Sequence, residues 1–148
     1  METLFYHLQR ATLEQTLPGL LEKTLSRGWK AVVRASSEER LKALDDLLWT
    51  FSDASFLPHA LEADAAIADN PIILSLSDTR HNAAEVIFAV DGADLPASEG
   101  WTRAVLIFDG NDPEALDKAR LAWKAVKAGG GEATYWRQGE DGRWSKAA

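Results

Sequence analysis

The chain has 148 residues with 46% hydrophobic and 26% charged positions, six tryptophans, no cysteine and a formal charge of −7. That composition fits one folded domain spanning 1–148 and excludes a disulfide framework, a thiolate nucleophile, a zinc–cysteine centre and an iron–sulfur cluster. The acidic balance argues against a nucleic-acid surface built on bulk positive charge. The start shows no basic-then-apolar leader, and no apolar run approaches the roughly 20 residues that cross a bilayer, so a cytoplasmic chain is expected.

Residues 4–8 form a short apolar run with aromatic content, read as a first strand. Leu13, Leu17, Leu20, Leu21 and Leu25 follow at helical spacing. Pro18 lacks an N–H, which sets the regular start of this helix near Thr16, and Gly28 ends it. Residues 30–35 read as a second strand. Ser36 to Glu39 has the spacing of a capping box, opening a helix with Leu41, Leu44, Leu47, Leu48 and Phe51 on one side. Pro58 breaks that pattern, and the small, acidic stretch 60–71 reads as a surface loop. The apolar runs 72–76, 84–90 and 103–108 are core strands, continuous enough to be covered on both faces. Asp112 and Pro113 cap a helix that runs to Ala128 and stops at three glycines. A last strand over 132–137 precedes a short polar tail. Strands alternating with helices predict an α/β fold, a three-layer sandwich with a mostly parallel central sheet flanked by helices.

Such a Rossmann-like topology invites a nucleotide, but the phosphate-binding loop is missing. No G-x-G-x-x-G follows the first strand, and no G-x-x-x-x-G-K-[ST] occurs in the chain. Asp109 with Gly110 reads as a turn. His7, His59 and His81 lack metal-ligand spacing and are assigned structural or surface roles, so no metal and no cofactor is expected. Asp45 and Asp46, adjacent on a helix, diverge by about 100° and make no metal pair.

Two other clusters carry the argument. The first hundred residues hold 8 Lys/Arg against 16 Asp/Glu, whereas residues 101–148 hold 8 against 7. On the 113–128 helix, Ala115, Ala119, Ala122 and Val126 form a small-residue stripe for packing on a sheet. Beside it Arg120, Trp123, Lys124 and Lys127 are expected to face outward, with Lys118 adding charge. A flat aromatic among cations suits an acidic, extended peptide with an apolar side chain; a half-buried Trp123 among snorkelling lysines is the plainer reading. The second cluster, Trp49 with Phe56, reads either as an exposed apolar contact patch or as core closing the sheet edge.

Phe5-Tyr-His-Leu8, then Leu44, Leu48 and Trp49 with the segment 55–59, then Ala119-Arg120, Trp123-Lys124 and Ala133-Thr-Tyr-Trp136, together make the chain resemble the chi subunit of bacterial DNA polymerase III. The resemblance implies a non-catalytic accessory subunit, similar in fold to nucleotide-binding domains but without their phosphate site. It implies two partners: the psi subunit, which links chi to the clamp loader, and the acidic, phenylalanine-ended C-terminal tail of single-stranded DNA-binding protein. By position, Arg120, Trp123 and Lys124 match the family's tail-binding residues. A further family lysine falls on Leu116, and Lys118 or Lys127 is expected to replace its charge. Trp49 and Phe56 match positions used for psi and for a helicase-like alternative partner. A degenerate nucleotide-binding enzyme and a direct single-stranded DNA binder are the rival readings.

Overall fold

The computed structural model describes residues 1–51, 57–62, 70–80, 82–138 and 143–148. In chain order they form β1 (Glu2–Leu8), α1 (Leu13–Ser26), β2 (Ala31–Arg34), α2 (Glu38–Thr50), β3 (His59–Leu61), β4 (Ile72–Ser75), β5 (Val86–Ala89), β6 (Arg103–Asp109), α3 (Pro113–Ala128), β7 (Glu132–Gln138) and β8 (Trp144–Lys146). The strands make one eight-stranded sheet in the order β3-β4-β2-β5-β6-β1-β7-β8. Neighbouring strands are parallel throughout except β7 with β8. The α/β sandwich expected from the alternation of elements is the fold found.

Burial explains the composition of the central strands. Every residue of β4 and β5 is buried, as are Ala31, Val32 and Val33 of β2, so both faces of the sheet centre are covered. On one face α1 and α2 bring Leu17, Leu21, Leu44 and Leu48 onto Leu4, Val33, Leu74 and Phe88. On the other, α3 packs over β6 and β7 around Phe5, Leu106 and Phe108. Beneath β2, β4 and β5 no described helix closes that second face. There the segment 90–102 does so, with Trp101 only 5% exposed against the layer of Val32, Ile73 and Ile87. The third layer is therefore part helix and part loop, in keeping with the loop-rich sequence before β6.

Three local expectations are corrected. α1 begins at Leu13 rather than near Thr16, because Thr12 and Gln15 form a reciprocal capping box and the helix then runs through Pro18. The proline removes one backbone donor, and its natural acceptor, the carbonyl of Glu14, belongs to an exposed residue that water can serve. α2 is capped one residue later than its sequence suggests: Ser37 Oγ accepts from Arg40 N, while Ser36 Oγ donates to the Asp91 carbonyl. Finally, β3 (His59–Leu61) runs into the stretch 60–71 read as a loop, and β8 lies inside the polar tail. Both are three-residue strands, too short to show an alternation, and both sit at the sheet's edges.

Candidate partner-binding site

α3 starts where Asp112 accepts a hydrogen bond from Glu114 N and Pro113 supplies the first turn; it ends at Gly129, with Gly130 at φ +76°. Ala119, 1% exposed, lets the helix lie close on Phe5, Leu106 and Phe108. A helix turns about 100° per residue, so Arg120, Trp123, Lys124 and Lys127 share the edge of α3 that faces β7. Lys118, nine residues before Lys127, lies on the opposite edge. There it pairs with Asp94 at 2.9 Å and donates to the Gly92 carbonyl. Four of the five expected tail-binding residues are thus brought together, and Lys118 is not.

Trp123 departs from the outward orientation expected of it. It is half-buried, edge-on to Phe5 at 5.3 Å and to Tyr135 at 5.8 Å between ring centroids. The ammonium of Lys127 sits 5.2 Å from its ring centroid, a cation–π contact. Among the described residues Arg120 makes only a long 3.7 Å approach to Asp117, with both side chains well exposed, which leaves its guanidinium available to an incoming anion. Lys124 is exposed beside it.

The strand beneath this edge contributes residues that the sequence alone did not single out as binding groups. Register pairs Phe5 with Tyr135 and His7 with Arg137, and alternation along β7 puts Ala133 and Tyr135 toward α3. The Tyr135 hydroxyl lies 2.6 Å from His7 Nδ1. Burial, then the nearby Arg137 and, more weakly, Arg120, hold the His7 imidazole below its ordinary pKa, with Asp109 opposing them. Burial raises the Tyr135 phenol while Arg137 and Arg120 pull it down. Both guanidiniums therefore act on the same two rings, and Arg137 extends the cationic edge from α3 onto β7. Period-two alternation in 132–138 was the signal that could have found it.

The second expected cluster is only partly visible. Trp49, near the end of α2, is 56% exposed and stands edge-on over His59 at 5.0 Å. His59 is buried, with Nε2 2.9 Å from Asp45 Oδ1 and Nδ1 2.7 Å from the Leu57 carbonyl. That imidazole props the indole and is structural, as read from sequence. Phe56 lies outside the described residues, as does His81.

The crevice where a nucleotide would enter such a sheet lies beyond the carboxyl ends of β1 and β6, and encloses about 1100 Å³. Its chemistry is wrong for phosphate. Arg40 is taken by Glu14 at 3.0 Å and by Asp91 at 2.9 Å, Lys118 by Asp94, and Arg10 is the third cation among six lining carboxylates. Asp109, Asp112 and Glu114 line the rim, and at the α3 N-terminus the Glu114 amide donates to the Asp112 carboxylate, which would repel a phosphate there. Among the described residues, no cluster of three metal-ligating side chains occurs and no helix is long and apolar enough to cross a membrane.

A family model described as "DNA polymerase III chi subunit, HolC" matches residues 1–134. A protein of Rickettsia prowazekii (strain Madrid E), named "Probable DNA polymerase III subunit chi", is 26% identical over 90 residues. That alignment covers 61% of this chain and 54% of the relative, so the chain matches about half of the relative's length.

Proposed function

Because the chain belongs to the chi-subunit family of DNA polymerase III, an accessory component of DNA replication, we propose that it works as a non-catalytic adaptor with two protein-binding surfaces. The edge formed by α3 and β7 binds the acidic C-terminal tail of single-stranded DNA-binding protein. The tail's carboxylates pair with Arg120 and Lys124, and its terminal phenyl ring packs beside Trp123 and Lys127. The exposed Trp49 face pairs with the psi subunit and thereby with the clamp loader, and is also where a helicase-like partner would dock. The observation that carries this reading is the gathering of Arg120, Trp123, Lys124 and Lys127 on one edge over Tyr135.

Calorimetric titration with the tail peptide, with and without its final phenylalanine, tests the reading. Exposed ion pairs are worth roughly 0.2–1 kcal/mol each. Arg120→Ala is therefore expected to weaken binding by about 1.4- to fivefold. Lys118→Ala, on the other edge, is expected to leave it unchanged. Equal affinity for wild type and Arg120→Ala would refute the site. Stabilisation by ATP or GTP with magnesium in a thermal-shift assay would favour a nucleotide-binding enzyme instead. A gel shift with single-stranded DNA in the absence of other proteins would favour a direct DNA binder.

A further inference from the structure

The last turns of α1 place Leu20, Lys23, Thr24 and Arg27, spaced i, i+3, i+4 and i+7, over the sheet on the face opposite α3. Between them and β1, β5 and β6 lies a cavity of about 290 Å³. Its floor is Leu4, Phe88 and Val105, with Tyr6 and Trp136 along one side. Three cations, Lys23, Arg27 and Arg103, line this cavity together with one carboxylate, Glu2, whose Oε1 is 3.3 Å from an Arg103 terminal nitrogen.

The arrangement is electrostatically unbalanced. The guanidinium carbons of Arg27 and Arg103 stand 5.2 and 5.1 Å from the centroid of the same ring, Trp29, so two like charges converge on one indole. Arg103 Nε is buried and finds no acceptor among the described residues. Arg103 and Arg27 also act on the Tyr6 hydroxyl, pulling its pKa down against the stronger, upward effect of burial. An anion seated in the cavity would gain charge-assisted hydrogen bonds from Lys23, from Arg27 and from the terminal nitrogens of Arg103. The floor offers an incoming group only apolar surface, and the one hydroxyl on the helix side, Thr24, already donates to the Leu20 carbonyl. A nucleobase, whose heteroatoms need partners, is poorly served there; an apolar body is well served.

We propose that this cavity is a carboxylate site: it takes an apolar group that ends in a carboxylate, seating the aryl or alkyl part on the Leu4–Phe88–Val105 floor and the anion among Lys23, Arg27 and Arg103. The carboxylate comes either from the carboxyl terminus of a peptide with an apolar last residue or from a free organic acid. The site is separate from the α3–β7 edge, and neither reading depends on the other.

The test is a two-dimensional amide NMR titration of the whole chain. The probes are 3-phenylpropanoate, 3-phenylpropanamide, octanoate, thymidine monophosphate, and a short neutral peptide ending in phenylalanine as free acid or amide. Saturable shifts in α1's last two turns and the starts of β1 and β6 are expected with 3-phenylpropanoate and not with its amide. Response to the free-acid peptide alone among the remaining probes identifies a peptide terminus as the source; response to octanoate identifies a free acid. Arg27→Gln, at an exposed position, is expected to weaken 3-phenylpropanoate binding by up to about fivefold, the range for an exposed ion pair. Lys23→Gln gives a second reading if Arg27→Gln unfolds. Equal shifts from the amide, shifts confined to residues 120–127, or binding of the nucleotide in place of the carboxylates would overturn the proposal.

Discussion

At the scale of single residues, His7 and Gly110 fit closely together beneath the α3–β7 edge. Gly110 follows β6, and a Cβ at that position would collide with the His7 ring. The space left by one glycine is thus what admits a buried imidazole beside Tyr135 and Phe108. Gly110→Ala is expected to destabilise the fold by about 2 kcal/mol through overpacking, measured by urea denaturation. His7 also sets a pH dependence. Its folded pKa lies below 6.5, so the native state binds fewer protons than the unfolded chain near and below that value. Its contribution to stability is fully present above pH 6.5 and is lost as pH falls through the lowered folded pKa. Thermal unfolding of His7→Gln across mildly acidic pH is expected to show a shallower decline than wild type.

At the scale of elements, α3 was the most legible part of the chain and the outer strands the least. The alanine stripe, the Asp112 cap and the triple glycine fixed the helix, because each is a local signal that no distant contact overrides. Asp112→Ala is expected to cost about 1 kcal/mol in denaturant unfolding. It should leave tail-peptide affinity of the folded fraction unchanged, since the cap lies two turns from Arg120. The same angular arithmetic that groups Arg120 with Lys127 separates Lys118 from Lys127 by half a revolution, so its place on the other edge was legible in the spacing. β3 and β8 were different. Three-residue strands have no periodicity to detect, and they exist because a neighbouring strand edge offers hydrogen bonds. Trp123 illustrates the limit at one position. Its spacing put it beside the cations, but only the pairing of β1 with β7 supplied Phe5 and Tyr135 to draw half of it inward.

At the scale of the whole molecule, the charge is divided between regions. The crevice at the carboxyl ends of β1 and β6 carries a surplus of carboxylates, whereas the α3–β7 edge gathers Arg120, Lys124, Lys127 and Arg137. An acidic chain carrying a −7 total repels an acidic peptide at long range and attracts it only close to that edge. Tail affinity is therefore expected to fall as salt rises, seen by titration at two ionic strengths; a salt-independent affinity would contradict pairing at an exposed edge. Trp49→Ala is expected to loosen psi while leaving tail affinity at the wild-type level, and loss of both together would contradict separate surfaces.

Trp49 stands over β3, and Trp123 leans on β1 and β7 from the sheet's other side. Five strand steps separate β3 from β1, a span of about 24 Å at ordinary strand spacing. The two seats therefore do not overlap, so a bridged assembly would gain strength from local enrichment rather than from one guest occupying the other's seat. The tightness of such a bridge would be governed by how far the partners' own flexible segments must reach across a stiff board of paired strands.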